Sequence, residues 1–304
     1  MKKVKKTIFS SLSTLRAAFL KWYQRDPFRE GAAIAFYSVF SLPGLMVVVL
    51  TIGGSLLGTE AMSGHLHREI TKVMGTETAD QVNEMILMAY RSKDSAWATI
   101  IGIASILIGA TGVFVQLQEA LNRIWEVEAA PTRSRFMDYL RKRLFSFGLI
   151  VSIAFLLLVS LVISSLLSAL SSWLQSHWSE NVVVLISVLN LFISLFSGAM
   201  LFALMFKVLP DAKIKWKPVW PGAIFTVVMF ELGKFALSYY FGHANPGSGY
   251  GAAGSIILIM LWTSFSSMIV LFGAVLTRTI SDKMMGLVAP ENIAVRKKEP
   301  KVKA

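Results

Sequence analysis

Two charged side chains lie inside an otherwise apolar stretch of the sequence, between residues 219 and 241. Glu231 and Lys234 are three positions apart, so on an α-helix they lie about one turn from each other and can form an ion pair. A charge inside a bilayer is energetically expensive and usually faces a protein interior or a water-filled cavity. The pair is therefore a candidate intramembrane site for a substrate or an ion, and a purely structural ion pair is the alternative that the sequence leaves open.

A second group of polar residues, Glu119, Asn122 and Arg123, follows an apolar stretch that ends near residue 117. Together with Glu126 these residues recur at i, i+3, i+4 and i+7, which places them on one face of a helix. Glu119 and Arg123 have the spacing of an ion pair on that face. We interpret the group as a structural or interfacial polar cluster where a helix leaves the membrane.

Residues that could support catalysis or bind a metal are few. Cysteine is absent and there are four histidines; His65 and His67 are two positions apart, so on a helix they point to different faces. No His-Glu-x-x-His pattern occurs, and the glycine-rich segment 247–251 lacks the lysine and hydroxyl residue of a phosphate-binding loop. The sequence therefore predicts a protein that is not an enzyme, with no catalytic residues, no metal and no cofactor.

The composition indicates which elements must position these residues. Of the 304 residues, 55% are hydrophobic and only 16% are charged, and the mean hydropathy is +0.61. Soluble domains carry about 25% charged residues, and their surfaces need more polar cover than this chain can supply. The composition excludes a soluble globular protein and a disordered one, and it predicts an all-α, polytopic membrane protein.

Six apolar stretches are long enough to cross a bilayer as helices, which takes about 20 residues. Pro43 and Gly44 interrupt the first of them, so we expect a kink there. Proline, glycine and asparagine residues punctuate the later ones. The predicted spans are 32–57, 96–117, 144–170, 182–206, 219–241 and 252–277.

The basic residues predict the orientation of these spans. With six spans both termini lie on one side, and the segments assigned to that side (1–31, 118–143, 207–218 and 278–304) hold 25 of the 30 Lys and Arg residues. Short loops rich in Lys and Arg stay in the cytoplasm. We therefore predict that both termini are cytoplasmic, and the net charge of +12 then requires no nucleic acid as a partner.

The chain divides into three regions on this interpretation. Residues 1–31 form a cytoplasmic amphipathic segment that either lies in the lipid headgroup layer, attracted to anionic lipid, or packs against the bundle. Residues 32–280 form the six-helix transmembrane domain, in which 58–95 is an external helical cap. Residues 281–304 form a basic cytoplasmic tail, expected to be disordered from about residue 290 because it is charged and poor in apolar residues.

Four strings occur in a fixed order along the chain: DPFREGAAIAFY at 26–37, ALNRIW at 120–125, LPD at 209–211 with WPGA at 220–223, and YGAAGS at 250–255. Together they resemble the YihY/BrkB family of bacterial inner-membrane proteins, and the resemblance covers about residues 20–280. It implies a multi-pass protein of the cytoplasmic membrane and, because family members have been linked to serum resistance and lipopolysaccharide export, an envelope role. The family has also carried a ribonuclease label, but the sequence shows no nuclease acid–base pair or metal site.

Two functions are compatible with these observations. The first is a transporter or flippase-like protein for an amphiphilic envelope component, in which Glu231 and Lys234 contribute the site. The second is a non-transporting envelope scaffold that binds lipids or partner proteins. Both make membrane lipids the expected partners, with anionic or lipopolysaccharide-related lipids as candidates, and both leave a homo-oligomer open.

Overall fold

The computed structural model describes residues 2–91, 112–129, 180–244, 246–286, 288–290 and 294–296. This part of the chain is mostly helical, as the sequence predicts, with two three-residue strands in addition. The described helices are numbered in chain order. They are α1 (Lys2–Tyr23), α2 (Pro27–Leu57), α3 (Thr59–Met74), α4 (Thr76–Arg91), α5 (112–125), α6 (Glu180–Val208), α7 (Trp216–Ala244) and α8 (Gly254–Met285), with a 3-10 turn over Ser248–Ala253.

Three helices in the described part of the chain are long and apolar enough to cross a membrane: Leu191–Val208 within α6, and the whole of α7 and α8. They correspond to the fourth, fifth and sixth predicted spans. The first predicted span falls in α2, which is one continuous helix through Pro43, so the kink there stays a prediction. The third predicted span and most of the second lie outside the described residues, and the total of six therefore stays a prediction as well.

Helices α7 and α8 form an antiparallel pair whose backbones approach closely. A side chain added at Gly222 would overlap the hydroxyl of Thr277, and one added at Gly273 would overlap the hydroxyl of Thr226. Each threonine donates a hydrogen bond to the carbonyl oxygen of the glycine four residues before it, at 2.7 Å for Thr226 and 2.8 Å for Thr277. Small residues allow such close approach where the hydrophobic effect cannot drive two membrane helices together.

Helix α1 packs against the C-terminal half of α8. The ring of Trp22 meets the edge of Phe272 with centroids 5.7 Å apart, and Ala18 is fully buried. Lys283 donates a hydrogen bond of 2.7 Å to Thr14. Of the two interpretations of the N-terminal segment, packing against the bundle is therefore observed, while exposed apolar residues such as Leu12 leave a second face of α1 free for lipid.

Helices α3 and α4 lie at the opposite end of α8 from α1. Ser255, at the start of α8, donates a hydrogen bond to Gln81 of α4, and Ser238 of α7 donates one of 2.9 Å to the carbonyl oxygen of Lys72. Because α8 has 32 residues, its two ends are about 48 Å apart. The segment 58–91 is thus helical and gathers at one end of the bundle; its position outside the membrane stays a prediction.

The C-terminal tail carries a short strand at 294–296, which corrects the expectation of disorder for these three residues; the rest of the tail beyond 290 lies outside the described residues. Strand β2 (Ala294–Arg296) pairs antiparallel with β1 (Val127–Ala129), which is separated from the end of α5 by one residue. Lys213 also donates a backbone hydrogen bond of 2.9 Å to the carbonyl oxygen of Ala289. The charged composition of the tail does not prevent this, because a strand needs only a partner edge for its backbone groups.

Candidate functional site

A cavity of about 320 Å³ lies where α1 ends, α2 begins and α5 ends, against the C-terminal half of α8. Its lining has two kinds of residue, charged and apolar. The apolar residues include Trp22 and two residues of α8, Leu271 and Val275. The charged residues of the lining are Arg25, Asp26, Arg29, Glu30, Arg123 and Glu126.

The backbone at two of the acidic lining residues is in a left-handed conformation. Asp26 has a φ of 50° and Glu126 a φ of 55°, and among the described residues they are the only non-glycine residues with positive φ. Asp26 precedes Pro27, the first residue of α2, and Glu126 directly follows α5. This conformation costs about 1–2 kcal/mol for most residues and such outliers concentrate at functional sites, so the cavity is the first place to look for one.

Two arginines hold Glu126 at the rim of the cavity. Arg278 of α8 lies 2.7 Å from one carboxylate oxygen and Arg25 lies 3.2 Å from the other. Arg278 is nearly buried, at 10% exposure, whereas Glu126 is 43% exposed. Arg278 also donates to the carbonyl oxygen of Ile124, and Arg25 donates to that of Arg123 at 2.7 Å. These bonds add side-chain donors to carbonyl groups in the last turn of α5, where the Arg123 carbonyl also accepts from the Glu126 backbone N–H at 3.3 Å.

These contacts shift the pKa values of Glu126 and Arg25, which both lie outside the apolar spans. The hydrogen bond from Arg278 is the main cause that lowers the pKa of Glu126 below its ordinary value, against the opposing effect of burial. Burial is the main cause that lowers the pKa of Arg25, and the neighbouring charge of Arg278 lowers it further. Arginine stays protonated at physiological pH in spite of such a shift, so the cluster keeps its charges.

The polar cluster predicted from the sequence is present but divides between two partners. Arg123 pairs with Glu30 of α2 at 2.6 Å, more closely than with the predicted partner Glu119, which lies 3.7 Å away. Asn122 turns to Asp211 instead: it donates to the carboxylate at 2.9 Å and accepts from the Asp211 backbone N–H at 2.8 Å. The cluster therefore ties α5 to α2 on one side and to the loop after α6 on the other.

Two donors among the lining residues have no acceptor. The indole Nε1 of Trp22 and the Nε of Arg123 are buried from solvent without a hydrogen-bond partner. A buried donor left unpaired costs about 1–3 kcal/mol, so such atoms in a native structure call for a ligand or a water molecule. Arg29, also in the lining, is exposed and makes no ion pair among the described residues. In the described part of the chain, the lining thus contains one arginine without an ion pair, Arg29, and two residues, Trp22 and Arg123, whose buried N–H groups have no acceptor and would reach a ligand if their side chains turned toward it.

The other predicted site, Glu231 and Lys234, lies on α7, which contributes no residue to the lining of this cavity. The two side chains pair at 2.6 Å, and each is about 40% exposed on the surface of the chain. Between them, Gly233 lies against Phe265 and Ile269 of α8, where an added side chain would collide. The pair therefore flanks a close-packed turn of the α7–α8 contact.

Of the charged residues that line the cavity, sequence reasoning assigned only Arg123 to a candidate site. The lining residues and their partners that it missed as site residues are Trp22, Arg25, Asp26, Arg29, Glu30, Glu126, Asp211 and Arg278. A signal for part of it was available. Three of the four strings that carry the family resemblance supply residues to this region: 26–37 gives Asp26 and Glu30, 120–125 gives Asn122 and Arg123, and 209–211 gives Asp211. These strings lie far apart in the sequence and form no known motif together, but the fold brings them to the same end of the helix bundle.

Comparison with known proteins identifies the family. The family model described as "Virulence factor BrkB" matches residues 18–297, and the chain belongs to this family. It is 26% identical over 258 residues to a UPF0761 membrane protein of Saccharophagus degradans, which covers 84% of this chain and 56% of the relative. It is 26% identical over 269 residues to one of Tolumonas auensis, covering 86% and 82% respectively. It is also 26% identical over 295 residues to one of Prosthecochloris aestuarii, covering 95% and 65%.

The chain spans a little over half the length of the first of these relatives. No solved structure matches it. The relatives are named membrane proteins, and the described part of this chain holds helices that can span a bilayer. This chain is therefore a membrane protein of the BrkB family.

Proposed function

We propose that this BrkB-family protein binds an amphiphilic component of the bacterial envelope and moves it across the inner membrane. The observation that carries the proposal is the mixed lining of the cavity, which contains both charged and apolar residues. An amphiphile has a polar headgroup and an apolar chain, and the cavity offers charged residues such as Arg29 and Arg123 beside apolar ones such as Leu271. Binding sites of this kind need a few polar groups to orient a ligand whose remaining surface is apolar.

The proposed orientation places the cavity at the cytoplasmic face of the membrane. Helices α2 and α7 begin at the cavity end of the bundle, and α5, α6 and α8 end there. This alternation agrees with spans that cross the membrane in turn, and 25 of the 30 Lys and Arg residues lie in the segments assigned to that side. Because basic loops stay in the cytoplasm, we propose that both termini are cytoplasmic.

The proposed activity is movement and not catalysis. No nucleotide-binding motif occurs in the sequence, so energy would come from an ion gradient, from a partner or from the concentration difference of the amphiphile itself. The Glu231–Lys234 pair is a candidate ion site on this proposal. Its partial exposure and its place beside the packed turn at Gly233 give equal support to a structural role.

A lipid-binding scaffold that does not transport is the second candidate. One observation favours it: at the cavity end, ion pairs and hydrogen bonds join α1, α2, α5, the loop after α6 and α8 into a single polar layer. Such a layer would hold the helices in a fixed arrangement. A scaffold would bind the same amphiphile in the same cavity and release it on the side from which it came.

The two candidates are separated by measuring lipid movement after reconstitution. The purified protein is placed in liposomes that contain a fluorescent phospholipid, and a membrane-impermeant reductant then bleaches only the outer leaflet. A transporter accelerates the loss of the protected inner-leaflet signal relative to protein-free liposomes. A protein that binds the same phospholipid in detergent but leaves the protected fraction unchanged, with and without a proton gradient, is a scaffold.

A further inference from the structure

We infer that the cavity binds the phosphate group of an anionic membrane lipid, with Arg29, the Nε of Arg123 and the indole N–H of Trp22 as donors. The inference rests on the proposed function, since it names the class of amphiphile and the residues that bind it. It is drawn from the donors that the protein leaves unused. A phosphate supplies several strong acceptor oxygens, and arginine is the side chain best suited to bind them.

The ion pairs around the lining leave one arginine unpaired. Glu30 is bound by Arg123 at 2.6 Å, and Glu126 is bound by both Arg25 and Arg278. Arg278 also lies 3.6 Å from Asp282, and Arg123 lies 3.7 Å from Glu119, so these pairs leave no excess of positive charge. Arg29 is the arginine of the lining that makes no ion pair among the described residues, and it is therefore available to an anion.

The groups that remain differ in how strongly water screens them. Arg29 is exposed and has no partner among the described residues, and the two unused N–H donors are shielded from water. Asp26 is the remaining acidic residue of the lining, and it is exposed like Arg29, so solvent and salt screen both charges and recognition of a phosphate depends on hydrogen bonds that the guanidinium can donate and a carboxylate cannot. The first turn of α2 adds the positive end of a helix dipole beside Arg29.

The surroundings of the cavity favour a lipid phosphate over a free one. Residues 19–28, the segment that supplies Trp22 and Arg25 to the lining, expose several large apolar side chains: Phe19 (51%), Leu20 (50%), Tyr23 (62%) and Phe28 (64%). Exposed aromatic residues beside charged ones are typical of the level where lipid headgroups meet the hydrocarbon. The apolar lining residues Leu271 and Val275 would contact the first carbons of an acyl chain, whereas inorganic phosphate has no group to place there.

The experiment compares three probes on the full-length protein in detergent by microscale thermophoresis. Dioctanoyl phosphatidic acid carries both the phosphate and the chains, dioctanoylglycerol carries the same chains without the phosphate, and inorganic phosphate carries the headgroup alone. We expect saturable binding of the phosphatidic acid and at least about ten-fold weaker binding of each of the other two, since each lacks one of the two contacts.

Two substitutions test the residues, each with a matched control. Arg29→Gln removes a charge that supports no ion pair in the described structure, and Trp22→Phe removes the indole N–H while it keeps an aromatic ring against Phe272. Each should weaken phosphatidic acid binding about five-fold or more, the effect of losing one hydrogen bond to a charged group. The controls Lys217→Gln and Trp125→Phe remove an exposed cation and a buried indole N–H outside the lining, and they should change binding less than about two-fold.

Several results would overturn the inference. Equal binding of inorganic phosphate would show a site for free anions, and equal binding of dioctanoylglycerol would show that the phosphate is not recognised. Cavity variants that bind like their controls would place the lipid elsewhere. The liposome assay separates this failure from failure of the proposed function. Lipid movement that survives without phosphatidic acid binding refutes only the inference, and binding in the cavity without any movement supports the inference and refutes transport.

Discussion

Substituting Gly222 by alanine should destabilise the pairing of α7 with α8 and, through it, the cavity. The added Cβ would overlap the Thr277 hydroxyl and would lie 3.0 Å from Thr277 Cβ and 3.2 Å from Thr277 Cα. Rotating the threonine away would break its 2.8 Å hydrogen bond to Gly273, so the helices would have to separate. Overpacking of this kind costs about 1–3 kcal/mol, from which the better helix propensity of alanine recovers about 0.5–1 kcal/mol.

The net expectation for Gly222→Ala is a loss of about 1–2 kcal/mol in the free energy of unfolding. Gly242→Ala is the matched control, because Gly242 lies in the same helix and an added side chain there would contact nothing within 4 Å. It should be neutral or slightly stabilising. The double variant Gly222→Ala with Thr277→Ala removes the colliding hydroxyl and should recover part of the loss, as a coupling of about 0.5–3 kcal/mol between contacting residues.

The assay is thermal unfolding of the purified variants in one detergent, and the quantity measured is the fraction of protein that remains monodisperse after heating. Phosphatidic acid binding serves as a second readout, because Arg278 directly follows Thr277 and would shift with it away from Glu126. If Gly222→Ala melted at the same temperature as Gly242→Ala, the close approach of α7 and α8 at this level would be refuted. If it melted lower but the double variant recovered nothing, the collision would involve a group other than the Thr277 hydroxyl.

Three further predictions concern the charged residues and the orientation. The pKa of Glu126 is lower in the folded protein than its ordinary value, so the ionised side chain stabilises the fold above the pKa of the unfolded state, and this stabilisation is lost as the pH falls through the pKa of the folded state. Glu126→Gln should therefore melt at a lower temperature than wild type at pH 7, and the difference in melting temperature should disappear in acid. Glu231→Gln or Lys234→Met alone should lower thermal stability, by up to about 3–5 kcal/mol if lipid shields the pair, and the double change should restore much of it; unchanged single variants would show that water reaches both charges. Reporter fusions after residue 75 should be active only as external fusions and those after residue 213 only as cytoplasmic ones, and the reverse pattern would invert the proposed orientation.

The helices could be predicted from the sequence because their signals are local. The apolar stretch at 219–241 corresponds to α7 (Trp216–Ala244), and the one at 252–277 corresponds to α8 (Gly254–Met285). The helices are longer than the apolar stretches, and their extra turns carry polar residues such as Asp282. A hydropathy criterion leaves such residues out of a span, but in the structure they remain helical and contact other elements, as Asp282 does with Lys21. Hydropathy therefore located these helices and missed the turns that project beyond the hydrocarbon.

The cavity could not be predicted, because its residues meet only through the tertiary fold. Arg25 and Glu126 are 101 positions apart along the chain, and Arg123 and Glu30 are 93 apart. The spacing of Glu119 and Arg123 correctly predicts that they lie on one face of a helix, yet the closer partner of Arg123 is Glu30 of another helix. The pairing of β1 with β2 was missed for the same reason, since Val127 and Arg296 are paired across most of the chain.

The contacts that enclose the cavity are unequal in strength, and this decides which wall can yield to a ligand. On one side α8 is fixed against α7 by the interlocked pairs at Gly222 and Gly273, which cannot slide without collision. On the other side α1 is held to α8 by side-chain contacts: the Trp22–Phe272 ring contact, the Lys283–Thr14 hydrogen bond and an ion pair of 3.7 Å between Lys21 and Asp282. The exposed ion pair contributes only about 0–1 kcal/mol, and side-chain contacts can shift without the collision that locks α7 to α8. We therefore expect α1 to move when a lipid enters, while the α7–α8 pair stays as it is. Restraining α1 with a cross-link to α8 should then slow lipid entry without changing thermal stability of the α7–α8 contact.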